Sequence, residues 1–189
     1  SPSVGGTINI VTNTIDAKRG GSVSYGVGND GANTMSVSLS TGLMDNGWAA
    51  SLLLAKRWGD GYIQGTGYEG YNWFVNVSKR INSNHQLSLT AFGAPQKHNQ
   101  RKPLYAGLSI EEWDKVAKWT GEKNKYRYNA VYGFDNNGKE RSSMTNEYHK
   151  PQMSLNHQWQ IDRKSSLSTA LYMSIGRGSG YSGQGRTSA

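Results

Sequence analysis

The chain has 189 residues, of which 35% are hydrophobic, 11% are aromatic and 24 in number are glycine. No stretch approaches the ~18 consecutive apolar residues of a membrane helix, so a helical span is excluded, although a membrane β-barrel, whose strands alternate apolar and polar, is not. With no cysteine, disulfides, thiolate catalysis and cysteine-held metals are also excluded, and the formal charge of +8 sits mostly on turns and loops. A nucleic-acid surface needs a basic stripe on a helix or sheet with aromatics beside it, and that pattern is missing. An anionic ligand or lipopolysaccharide remains compatible with the charge.

Both ends break into a running pattern, and both are read as cuts. Thr7-Ile8-Asn9-Ile10-Val11-Thr12 reads as a short strand, followed by a polar connector from Thr14 to Gly21. Segment 21–28 sets Val23, Tyr25 and Val27 against Ser22, Ser24 and Gly26. A turn at Asn29-Asp30-Gly31 leads to segment 34–43, with Met35, Val37 and Leu39 opposite three serines. Asp45-Asn46-Gly47 is a hairpin signal, since Asn-Gly tolerates positive φ. Segment 48–58 carries Trp48, Ala50, Leu52 and Leu54 opposite Ala49, Ser51, Ala55 and Arg57. A glycine-rich loop is expected over 59–70, then strands over 71–80 and 85–94 joined by Asn82-Ser83-Asn84. A long insertion runs from Pro95 to Glu147. Strands 151–161 and 165–175 follow, joined at Asp162-Arg163-Lys164, and the tail from Gly176 reads as another loop.

The expectation is an all-β, antiparallel arrangement of about seven barrel strands, each of the ~9–11 residues a tilted strand needs to cross a bilayer. Tight turns fall on one side and longer loops on the other, as in outer-membrane barrels; Asn29–Ala32 alone is too short for this scheme. The polar face is Ser, Thr, Asn and Gln rather than charged residues. Trp48 and Trp58 stand ten positions apart on one face of one strand, the separation of two interfacial girdles. Within the insertion, Ser109 and Glu112 form a capping box. Ile110, Trp113, Val116 and Ala117 share a helical face, and Gly121 ends the helix.

No motif carries catalysis. Gly65–Gly70 and Gly178–Gly183 both match G-x-G-x-x-G, but neither opens a helix, so both read as glycine-rich loops. His85, His98, His149 and His157 lack metal-ligand spacing, and His157 sits on an apolar face. Glu111 and Glu112 read as carboxylates favoured at a helix N-terminus. Asn76-Val77-Ser78 fits the glycosylation pattern but falls mid-strand. No enzyme, cofactor or metal site is expected. Loop aromatics and bases suit a carbohydrate face or an anionic chelate, and Tyr62, Tyr68, Arg101, Trp113 and Trp119 are the ligand-contact candidates. Packing within the loop explains the same rings equally well.

Ser3-Val4-Gly5-Gly6-Thr7-Ile8-Asn9-Ile10-Val11-Thr12 resembles the closing strand of the plug in TonB-dependent outer-membrane receptors. The runs Gly59–Tyr71, Phe92–Arg101 and Tyr148–Gln152 resemble early barrel segments of the same family. The resemblance spans nearly the whole chain. It implies residues 1–14 as the end of a plug domain and 15–189 as the N-terminal part of a barrel of about 22 strands. It implies a protein of the Gram-negative outer membrane, with lipid around it and a TonB energy-coupling complex acting through a region not in this sequence. The ligand would be a ferric chelate, a cobalamin or an oligosaccharide. A passive porin-like channel and a soluble β-rich glycan-binding module are the alternatives.

Overall fold

A computed structural model describes residues 14–101, 108–121 and 123–182. The expected strand at 7–12, with the plug-like run around it, lies outside the described residues. The fold is all-β and antiparallel with one short helix. Its elements are β1 (Gly20–Val27), β2 (Asn33–Ser40), β3 (Trp48–Gly59), β4 (Tyr68–Arg80), β5 (His85–Gly93) and β6 (Gln96–Asn99). After α1 (Ile110–Thr120) come β7 (Tyr132–Phe134), β8 (Glu140–Ser142), β9 (Met144–His149), β10 (Gln152–Gln160), β11 (Ser166–Ser174) and β12 (Arg177–Ser182). The large sheet runs β1-β2-β3-β4-β5-β10-β11, and β7-β8 is a separate hairpin. Among the described residues the sheet is open, with β1 at one edge and β11 at the other.

The seven expected barrel strands match this seven-strand path closely, but three are longer than the sequence indicated. β6 pairs with β4 and β9, and β9 pairs with β12. Phe92 opposite Gln152 and Gln96 opposite Tyr148 share one register, as do Gln152 opposite Ser174 and His149 opposite Arg177. Thus β5 with β6, β9 with β10, and β11 with β12 are each one strand prolonged at the same end. Pro95 and Pro151 hide this continuity, because a proline has no N–H to give to a ladder. Their carbonyls still accept, Pro95 from Tyr71 N–H at 2.8 Å and Pro151 from Ile175 N–H at 3.3 Å. The expected insertion therefore begins after Asn99 and ends before Met144. The second glycine motif is corrected too: Gly178 to Ser182 is strand, not loop, while its last residue, Gly183, is not described. Tyr68 likewise opens β4 rather than lying in the preceding loop.

The turns follow local chemistry. Asp30 (φ 55°) and Gly31 (φ 66°) both occupy the left-handed region, closing the β1–β2 hairpin in the manner of a primed turn. In the next connection Gly42 (φ 64°) and Gly47 (φ 80°) do so, and the Gly47 carbonyl also accepts from Arg80 N–H at 2.8 Å. At Asp162, backbone N–H groups of Lys164 and Ser165 hold the carboxylate below its usual pKa range.

The two faces of the sheet differ sharply. On one face the register builds consecutive cross-strand rows. Three adjacent rows contain no charge: Ala50-Val77-Leu89-Leu155-Leu171, Leu39-Leu52-Val75-Ala91-Met153-Met173, and Val23-Val37-Leu54-Trp73-Gly93. Charges appear only beyond them. Toward the short turns stand Lys79 and His157, with Lys79 5.0 Å over the Trp48 ring. Toward the long loops stand Lys56, Glu69, Lys97, Glu147 and Arg177.

This apolar face is the exposed one. Val23 is 72% exposed, Leu54 48%, Leu89 43%, Leu171 67% and Met173 54%. The opposite face carries Asn76, Ser78, Ser88, Thr90, Asn156 and their neighbours, and it is where burial concentrates. Asn76 and Ser78 are fully buried, and Thr90 nearly so. Asn76 donates to Ser88 Oγ at 2.9 Å and Thr90 Oγ1 at 2.7 Å, and accepts from Ser78 Oγ at 2.7 Å. Ser22–Ser38 and Ser24–Ser36 continue the hydroxyl ladder at 2.7 and 2.6 Å. Thr14 and Ile15 are buried, and Thr14 lines the same cavity as Ser78, Thr90 and Asn156. A water-soluble sheet buries its apolar face and wets its polar one; this sheet does the reverse.

Candidate functional site: the loop cap and the polar cleft beneath it

Three loops meet beyond the prolonged strands, and Arg127 ties them together. Its guanidinium lies 2.9 Å from the Asp30 carboxylate in the β1–β2 turn and 5.1 Å over the Tyr62 ring in the β3–β4 loop. Its carbonyl accepts from Gln64 N–H at 2.8 Å. Asn129, fully buried, donates to the Gln64 carbonyl at 2.9 Å. Gly65 (φ 63°) lies against the face of Tyr132 so closely that any side chain there would enter the ring. Asn124 donates to the Tyr62 hydroxyl at 2.9 Å. The insertion is thus folded onto the shorter loops, as its helix implies.

The helix forms as its sequence indicates. Ser109 Oγ accepts from Glu112 N–H, and the Glu112 carboxylate accepts from Ser109 N–H at 2.7 Å; Gly121 ends it with φ 70°. Those bonds hold the Glu112 carboxyl below its usual range. Of the four residues expected on one buried face, Trp113 is buried and Val116 and Ala117 partly so. Ile110 is 72% exposed, because the first turn extends past the packed part of the cap.

The five contact candidates separate into different roles. Trp113 packs edge-on against Tyr126 at 5.6 Å, with Arg101 4.8 Å above its ring. Arg101 donates to the carbonyls of Tyr126 (3.2 Å) and Tyr128 (2.7 Å), and burial lowers its pKa from the ordinary value. Both residues are thereby committed to holding the cap. Tyr62 is half-exposed but held by Arg127 and Asn124. Trp119, 79% exposed, touches Tyr128 edge-on at 6.4 Å and offers the freest ring of the five. Tyr68 turns to the polar face of the sheet. There it lines a cleft of about 470 Å³ with Arg57, Asn72, Gln96 and His98.

This cleft was only partly readable from sequence. Arg57 was visible as the cation on the polar side of its strand, but Gln96 and His98 were concealed by the apparent strand end at Pro95. Below the cleft runs a larger cavity of about 740 Å³, lined by Ser78, Ser88, Thr90, Asn156 and Ser168 together with Phe74 and Phe92. Hydroxyls and amides there bind through hydrogen bonds rather than charge. Arg57 makes no ion pair within 4 Å among the described residues, so it is available to an anionic group. No group of three or more His, Asp or Glu suited to a metal occurs among the described residues. The arrangement offers hydrogen-bonding groups and one cation to a ligand.

No family model, curated protein or solved structure matches this chain.

If Arg127 is the tie between the loops, Arg127→Gln should release them from one another. Limited proteolysis should cut within 60–67 and 123–131 at least several-fold faster than in the parent, with the sheet's circular dichroism unchanged. Unchanged cleavage would mean Asn129 and the Gly65–Tyr132 contact hold the cap without it.

Proposed function

We propose that this chain is the end of the plug and the N-terminal part of the barrel of an outer-membrane receptor that captures a scarce ligand at its outer loops and takes it up with energy supplied through TonB. The observation that carries this reading is the inverted sheet: three charge-free rows on an exposed face, with a hydrogen-bonded polar face buried behind them. Lipid is the solvent that makes such a face stable. The geometry fits a bilayer in detail. Trp48 and Trp58 stand ten residues apart; at ~3.3 Å per residue and a tilt near 40°, they span about 25 Å of membrane height. Tight turns sit at one end, and prolonged strands with a folded cap at the other. Further strands beyond β1 and β11 would close the barrel, and the ligand class remains a ferric chelate, a cobalamin or an oligosaccharide.

Burial of Thr14 and Ile15 against the polar face favours an occupied lumen over an open porin-like channel. TonB coupling rests on the resemblance of residues 3–12 alone. The soluble glycan-binding alternative would have to leave the exposed apolar side chains of this face, Val23, Leu54, Leu89, Leu171 and Met173 among them, in water as one contiguous patch, beyond what soluble monomers ordinarily expose.

The test is made on the outer-membrane protein that contains this chain, extracted in detergent. Anomalous migration on gels until boiling, with β-type circular dichroism, supports a closed membrane barrel. Full solubility without detergent would overturn the proposal.

A further inference from the structure

Where the apolar face ends toward the long loops, two rows of charged and polar residues cross five strands. One runs Trp58-Glu69-Lys97-Glu147-Ser179 and the other Lys56-Tyr71-Pro95-His149-Arg177. Between β6, β9 and β12 they form an open groove of about 540 Å³ on this face, bordered by Glu69, Tyr71, Lys97, Glu147, His149 and Arg177. Lys56 is already engaged, 3.5 Å from Glu69 and 5.2 Å over both the Trp58 and Tyr71 rings. Lys97 and Arg177 make no ion pair within 4 Å among the described residues. They lie two strands apart and two residues out of line along the strands, about 12 Å between backbones at ~4.8 Å per strand and ~3.3 Å per residue. His149 accepts from the Trp73 indole N–H at 3.2 Å, which fixes the groove's lower wall to the topmost apolar row.

We propose that this groove seats the phosphorylated headgroup of a lipid, with its acyl chains running down the apolar rows below. The argument is complementarity and continuity: two cations without an ion pair within 4 Å, on side chains long enough to converge on one headgroup, stand above a lipid-compatible surface whose three nearest rows carry no charge. Arg177 suits bidentate phosphate contact, and Lys97 supplies a second point charge. Glu147, opposite Lys97 in the register, weakens the field and limits the site to headgroups carrying more than one phosphate or a hydroxyl-bearing sugar for it to accept from. The inference rests on the membrane-facing reading of this face.

The test uses the full chain and titrates vesicles of zwitterionic phosphocholine lipid, with and without a diphosphorylated glycolipid, following tryptophan fluorescence. The parent should favour the glycolipid vesicles. Lys97→Gln with Arg177→Gln should reduce that preference by about tenfold to thirtyfold, and Glu147→Gln should increase it, with binding to pure phosphocholine unchanged in all three. An equal preference in parent and double variant would overturn the headgroup site while leaving the membrane reading intact. Competition by millimolar inorganic phosphate as strong as that by glycolipid would also overturn it, marking a general anion site. Failure of the parent to associate with either vesicle would overturn both readings.

Discussion

Leu89→Arg should abolish most of the chain's affinity for a bilayer. Leu89 stands in the middle of β5 within the first charge-free row, flanked by Val77 and Leu155, and is 43% exposed. At a bilayer midplane an arginine facing lipid costs about 2–4 kcal/mol, or roughly thirtyfold to a thousandfold in the folding equilibrium. In water the same substitution at a half-exposed strand position would stay within about 0.5 kcal/mol and improve solubility. Urea titration of folding into phosphocholine vesicles separates the two cases. A change under 0.5 kcal/mol would mean that this face never meets lipid.

The complementary change is Asn76→Leu on the other face. In an ordinary sheet, adding an apolar side chain to a buried strand position is tolerated or helpful. Here it should destabilise by about 1–3 kcal/mol, since Ser88, Thr90 and Ser78 would each lose a partner in a site closed to bulk water. Asn76→Ser, small and still able to hydrogen-bond, should recover part of the loss. A neutral Asn76→Leu would show that water enters the ladder freely and replaces the amide. Together the two variants invert the usual rule for sheets, and only a lumen-and-lipid arrangement predicts both signs.

Alternation carried most of this fold into view before any coordinates. Each of the seven strands of the main path lies within a few residues of its expected place, because apolar and polar residues alternate cleanly from Val23 through Ile175. The helix was equally plain, since Ser109, Glu112 and Gly121 state both ends locally. What stayed hidden had nonlocal causes. The prolonged ends of two strands were masked by Pro95 and Pro151, whose meaning depends on the neighbour that still donates to their carbonyls, and that of the third by the glycine-rich run from Gly176. The roles of Arg101 and Trp113 were hidden because their stacking contact and the backbone contacts of Arg101, 25 and 27 residues away, leave no periodic trace. Arg127 looked like one more loop base, and nothing near it in sequence names Asp30 as its partner.

The two prolines have a consequence for how the molecule comes apart. At each, the neighbour donates to the proline carbonyl but the return bond cannot form, so the ladder is thinned along one narrow seam crossing β4, β6, β9 and β12. The strand stubs and cap above the seam can therefore open as one cooperative unit while the sheet below stays closed, and amide exchange should resolve them as two separate populations. Such partition lets the cap be remodelled, by ligand or by substitution, without disturbing the sheet below the seam.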